Sequence, residues 1–214
     1  MKKIFLLLLI LIFAFFFFQY FQKVNLKEKI KEKNMISFKE EKKVLMVIAF
    51  KNFRDVEYFL PKEILERNGV KVTTASNKKG EAQGADGKRA NVDLLISEVN
   101  PENFDAVLFV GGPGCLENLD NEDSYRLAQR TVEKGKVLGA ICISPVLLAK
   151  AGVLKEKKAT VWSSPFDRQP IEILKENGVF FQDEKVVVDG KIVTANGPNA
   201  AQEFVAEILK LLNQ

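Results

Sequence analysis

Two side chains in this sequence have the types and positions for covalent and proton-transfer chemistry, Cys142 and Glu57. Cys142 ends a short apolar run, Val137 to Ile141, of the kind expected of a strand buried on both faces. Ser144 and Pro145 then read as a helix start, and Val146 to Ala151 continue as good helix formers. A residue at a sharp strand-to-helix turn points its side chain out of the sheet, as the serine of a G-x-S-x-G elbow does. A nearby helix N-terminus favours an anion, so a thiol at this join is expected to ionise more easily than a free cysteine. From this stretch alone Cys142 is either a nucleophile or a small buried hydrophobe, the usual fate of cysteine. Glu57 falls in the first turn of a second expected helix. There it is either a site carboxylate or a charge that stabilises the helix end by up to ~1 kcal/mol. Gly111 and Gly112 end a third apolar run. Lacking side chains, they let backbone N–H groups approach a substrate oxygen, and with the N–H of Ile143 they form a candidate oxyanion hole. Taken alone, the GGPG run reads equally well as a tight turn.

The elements that position these residues alternate between strand and helix. VLMVIAF from Val44 reads as a buried strand. Asn52 and Asp55 are candidate caps for the next helix, whose apolar face is expected to hold Val56, Phe59, Leu60, Ile64 and Leu65 up to a stop at Gly69. Val70 to Ala75 is the second strand, and 76–100 suggest a small hairpin or edge strands. Ala106 to Val110 is a strand, Ser124 to Lys134 a helix, then comes the strand–Cys142–helix unit. Ala159 to Trp162, Val179 to Phe181, Val186 to Asp189 and Ile192 to Thr194 read as strands, with Asp189-Gly190 as a turn. Pro170 to Asn177 and Asn199 to Leu212 read as helices. Such alternation predicts an α/β fold, a mostly parallel sheet with helices on both faces.

Composition narrows the chemistry. The 214 residues include two cysteines and no histidine. Without histidine the commonest general base and metal ligand is missing. Cys-His and Ser-His-Asp mechanisms are excluded, even with a residue borrowed from an identical subunit, and no C-x-x-C spacing exists for zinc. No metal and no cofactor are expected. Residues 1–43 hold ten Lys and four Glu, a net of +6, whereas the whole chain is +4, so 44–214 carry −2. The globular part has no footprint for nucleic acid. Lys2 and Lys3 precede an uncharged run from Ile4 to Phe21, long enough to cross a bilayer as a helix. Residues 1–21 are read as an uncleaved transmembrane anchor rather than a signal peptide, because no small-x-small cleavage site follows. The expected localisation is a single-pass membrane protein, the side of its globular domain left open. Residues 22–43 read as a charged linker and 44–214 as one domain.

The segments FRDVEYFLPKEILERNGVKV, DAVLFVGGPG, AICISPVLLAKAGVL and VVVDGKIVTANGP, in this order across about 44–212, resemble the DJ-1/PfpI superfamily of class I glutamine amidotransferase-like proteins. The resemblance implies a flavodoxin-like, doubly wound fold and a homodimer. It places Cys142 on the family's reactive elbow cysteine, Glu57 on the carboxylate that contacts its sulfur, and Gly112 and Ile143 on the backbone donors near the thiol. It also suggests Gly111, Cys115 and Trp162 as residues around the site. Many protease-like members carry histidine directly after the cysteine, where this chain has Ile143, and another family histidine near the thiol falls at or close to Trp162. The remaining Cys–Glu pair resembles members with cofactor-independent glyoxalase or deglycase activity on 2-oxoaldehydes or their glycated adducts. A redox-sensing, stress-protective protein is the alternative, and a cysteine peptidase lacks its base. Cys115 is either a plain loop residue or a partner that resolves an oxidised Cys142 as a disulfide.

Overall fold

The computed structural model describes residues 40–214, with three isolated positions, 17, 19 and 22, before them. Apart from these positions, the expected anchor and most of the linker lie outside the described residues. Among the described residues no helix is long and apolar enough to cross a membrane.

In chain order the elements are β1 (Lys43–Ile48), β2 (Lys51–Phe53), α1 (Asp55–Arg67), β3 (Lys71–Ser76), β4 (Gly80–Gly84), β5 (Arg89–Val92), β6 (Leu94–Leu95) and β7 (Ala106–Phe109). There follow α2 (Cys115–Leu119), α3 (Glu122–Glu133), β8 (Val137–Ile141), α4 (Pro145–Lys150), β9 (Lys158–Ala159) and α5 (Gln169–Glu176). The chain closes with β10 (Phe180–Phe181), β11 (Val186–Asp189), β12 (Ile192–Ala195) and α6 (Ala201–Leu212). Seven strands form one sheet in the order β11-β12-β8-β7-β1-β3-β6. Only β11 runs antiparallel to its neighbour. Helices α1 and α6 pack together on one face, while α3, α4 and α5 cover the other. The five apolar residues of β1 from Val44 to Ile48, all of β7 and all of β8 are buried, as their unbroken apolar runs require in a sheet covered twice. This is the α/β architecture expected from the alternation.

The order also fixes where a ligand belongs. From β1 the chain moves to β3 and β6 on one side, then returns to β7, β8 and β12 on the other. The crevice at such a switch point lies outside the carboxyl ends of the strands. Here those ends belong to β1, β7 and β8, which lead to Glu57, to Gly111-Gly112 and to Cys142.

Four local expectations differ from the structure. The buried face of α1 carries Asp55, Glu57, Tyr58, Pro61 and Leu65, whereas Val56 is exposed and Phe59, Leu60 and Ile64 are half-buried. The reason is that Asp55 and Glu57 turn inward. Asp55 accepts the backbone N–H groups of Asp86 and Lys88 at 2.8 Å each, tying the β4–β5 hairpin to the helix start. Neither Asn52 nor Asp55 caps α1: its N-cap is Arg54, with no side-chain cap. Cys115 heads the short helix α2 rather than sitting in a loop. The strand expected over Ala159 to Trp162 pairs only through Lys158 and Ala159, because Thr160 and Trp162 direct their backbone N–H groups to Thr194 Oγ1 at 3.0 Å and to the Cys142 carbonyl at 2.8 Å.

Candidate active site

Cys142 has φ of 65°, a left-handed conformation that a residue with a Cβ adopts at a cost of order 1–3 kcal/mol. The strain persists because the turn is over-determined. The Cys142 N–H donates to Ala195 O at 2.8 Å, and its carbonyl accepts the N–H of Trp162. Ser144 and Pro145 do open α4, with Ser144 at its N-cap, but the Ser144 side chain makes no cap bond. Its buried hydroxyl accepts the Ile141 N–H at 2.9 Å, and its single O–H has two acceptors within 2.8 Å, the carbonyls of Phe109 and Ile141. That hydroxyl binds the end of β7 to the turn after β8. Cys142 itself is 8 % exposed, its side chain at the floor of a cavity.

Glu57 lies beneath it, fully buried. Both carboxyl oxygens lack a well-formed hydrogen bond among the described residues. The Cys142 thiol and the Gly111 N–H are close enough to act on its charge without closing such bonds. Burial raises the Glu57 pKa to about 7, against the opposing effects of the Cys142 thiol, the Arg54 guanidinium and the Gly111 N–H. The same geometry pushes the Cys142 thiol up, first through burial, then through the charge of Glu57 and its contact, while the N–H groups of Gly112 and Ile143 pull it down. The strand–helix join suggested only the downward pull. Burial opposes it, and the two acids behave as one pair. Its first proton leaves near the Glu57 value, and the second is held because it would leave two like charges side by side. Of the two, the carboxyl gives up its proton first, and burial and the charge of Glu57 hold the thiol protonated beside it.

The two glycines serve by close approach. A Cβ on Gly111 would lie 2.6 Å from Cys142 Cβ and 2.9 Å from Glu57 Oε2. Gly112 has φ of 116°, and a Cβ there would meet the Arg54 backbone nitrogen at 2.3 Å. In return the Arg54 N–H donates to Gly111 O at 3.0 Å, so the loops after β1 and β7 are clamped together.

The cavity measures about 380 Å³. Its apolar walls come from Pro113, Leu116, Ile143, Trp162 and Pro198, its polar ones from Arg54, Gly112, Cys142 and Asp167. Of the residues singled out in the sequence, Cys142, Gly112, Ile143 and Trp162 line it, and Glu57 and Gly111 support it from below. Cys115 does not line it. Its thiol is fully buried and pushed well up by burial, then by Cys142 and Glu57, and both cysteines are free. Arg54, Leu116, Asp167 and Pro198 escaped sequence reading. Arg54 had one signal, its place three residues before Glu57, and the others none. Among the described residues no group of three His, Cys, Asp or Glu side chains is placed to hold a metal ion.

A family model, described as DJ-1/PfpI family, matches residues 42–211. The chain belongs to the DJ-1/PfpI family. A Pyrococcus furiosus protein named deglycase PfpI is 34 % identical over 168 residues, covering 78 % of this chain and 98 % of that one. A Caenorhabditis elegans protein named glutathione-independent glyoxalase DJR-1.2 is 27 % identical over 172 residues, covering 80 % and 89 %. Among solved structures, a ThiJ/PfpI domain protein from Brachyspira murdochii superposes with a TM-score of 0.76 at 36 % identity, covering 81 % of this chain and 98 % of that one. Proteins named deglycase and glyoxalase are thus among those the chain is similar to.

Proposed function

We propose that this protein is an enzyme of glyoxalase or deglycase type, acting without a cofactor on a small 2-oxoaldehyde or its adducts through Cys142. The observation behind the reading is the strained Cys142 at the cavity floor, set over a buried carboxyl whose pKa of about 7 suits proton transfer near neutrality. Glu57 takes the thiol proton as the sulfur attacks the aldehyde carbon, a C–S bond forms, and that proton passes on to the developing oxyanion beside the N–H groups of Gly112 and Ile143. Glu57, now a carboxylate, removes the hydrogen from that carbon and returns it to the neighbouring carbonyl carbon. The first carbon is thereby oxidised to a thioester and the second reduced to an alcohol, within one molecule. Water then breaks the C–S bond, releasing a 2-hydroxy acid and restoring one proton to the Cys142–Glu57 pair.

The test is conversion of methylglyoxal to lactate by the full chain, followed by NMR. Cys142→Ser is expected to abolish catalysis, and Glu57→Gln to lower kcat by about 10²–10⁴-fold. Turnover surviving in Cys142→Ser sinks the proposal. No turnover in wild type, with Cys142 oxidised by peroxide to its sulfinate, favours the redox-sensing alternative. Peptide cleavage is not expected, because Ile143 stands where a base would follow the cysteine.

A further inference from the structure

Among the described residues, the wall of the cavity carries one cation, Arg54, which lines it together with Cys142. Its charge is under-used. One terminal nitrogen pairs with Asp86 at 3.1 Å, but that carboxylate is 53 % exposed and the pair is correspondingly weak. The Arg54 Nε is buried and has no acceptor among the described residues. An unsatisfied donor on a charged group is costly, and no lining residue of the cavity supplies its acceptor. Three other acids stand near this wall. Glu57 lies beneath the thiol, and the Arg54 charge acts on it without a hydrogen bond between them. Asp167 lines the cavity, its Oδ1 accepting the Gln169 N–H at 3.0 Å. Asp86 is the exposed partner already named.

We propose that Arg54 selects the substrate by binding an anionic tail, a carboxylate or a phosphate, on a 2-oxoaldehyde whose aldehyde carbon lies against Cys142. The proposal rests on the reading of Cys142 as the attacking group. A guanidinium presents its donors as a planar fork that suits either oxyanion, and it stays charged throughout the working pH range. For a five-carbon carboxylate substrate, 4,5-dioxopentanoate, the overall reaction adds one water and yields 2-hydroxyglutarate. The aldehyde carbon is oxidised and the ketone carbon reduced, and no outside oxidant is needed.

Two experiments on the full chain separate this proposal from the glyoxalase reading. In the first, kcat/KM for 4,5-dioxopentanoate is compared with that for 2-oxopentanal, which has the same chain length and no charge. 3-Phosphooxy-2-oxopropanal is the phosphate probe. An anionic substrate is expected to win by about tenfold or more, through KM, and Arg54→Met to bring the ratio toward one, with Arg54→Lys between them. In the second, Cys142 is alkylated with iodoacetate and with iodoacetamide, read on its own peptide by mass spectrometry. The ratio of the two rates cancels any change in thiolate fraction and needs no turnover. It is expected to fall about tenfold in Arg54→Met. If no aldehyde is turned over but the alkylation ratio falls, the anion site stands and the glyoxalase reading fails. If the ratio is the same in wild type and Arg54→Met, the anion site is overturned, whatever the turnover.

Discussion

At the scale of single residues, the proposed chemistry depends on a proton shared between a thiol and a carboxyl that resist being charged together. Two predictions belong here. Alkylation of Cys142 by iodoacetamide should rise with pH through an inflection near 7, the first proton loss of the pair, and this inflection should vanish in Glu57→Gln. A wild-type inflection at the ordinary thiol value, near ~8.5, contradicts the pair. The second prediction concerns stability. The Glu57 value of about 7 lies above its ordinary 4.5. The folded protein therefore holds a proton that the unfolded chain releases, and stability falls as pH rises. This contribution is complete below pH 4.5 and lost through pH 7, a loss of about 3 kcal/mol. Urea unfolding of wild type and Glu57→Gln at pH 5 and pH 8 should show the variant gaining by about that amount at the higher pH. An unchanged gap would mean that burial does not hold the proton.

Among the elements, the strands are ordinary and the turns after them are unusual. The ends of β1, β7 and β8 are bound by backbone contacts too close for any side chain at Gly111 or Gly112, and by one hydroxyl, that of Ser144. Removing it in Ser144→Ala leaves the Ile141 N–H without the partner it has at 2.9 Å, and the Phe109 carbonyl without its hydroxyl donor. The cost is expected to be about 2–3 kcal/mol by denaturant unfolding. Because the same hydroxyl braces the left-handed turn, Cys142 alkylation at neutral pH should slow in a variant that is still folded. If Ser144→Ala keeps both its stability and its thiol reactivity, the hydroxyl is incidental to the elbow. The short helix α4 after the elbow has six residues, with Pro145 at its first turn. Its contribution to the thiol is the Ile143 N–H rather than a long dipole.

For the whole molecule, we propose a homodimer through the globular domain, with residues 1–21 as its membrane anchor. A fragment beginning at Lys42, where the family match starts, should fold cooperatively and give a dimer mass by light scattering at micromolar concentration. The full chain should remain with membranes after an alkaline wash, and the fragment should not. A monomeric fragment removes the dimer from the proposal, and a full chain released by the wash removes the anchor.

The sequence by itself determined the layered α/β architecture, because buried parallel strands must be continuously apolar and the helices between them must stop at glycine, as they do at Gly69, Gly152 and Gly178. It also marked Cys142, Glu57, Gly112 and Ile143, since each falls where a strand hands over to a turn or helix. Tertiary structure decided what a one-dimensional pattern cannot hold. Whether Asp55 and Glu57 face inward depends on what the hairpin and the elbow offer them, and periodicity assigned that face to Val56 and its neighbours. Ser144 marks the start of its own helix in the sequence, but its hydroxyl bonds across to β7, a partner 35 residues away. Arg54 lines the cavity from a loop whose backbone N–H Gly111 accepts, a contact between segments far apart in the sequence. The direction in which the thiol pKa moves was hidden for the same reason. Helix ends and their donors are local and visible in sequence, whereas burial is set by every segment that closes over the site.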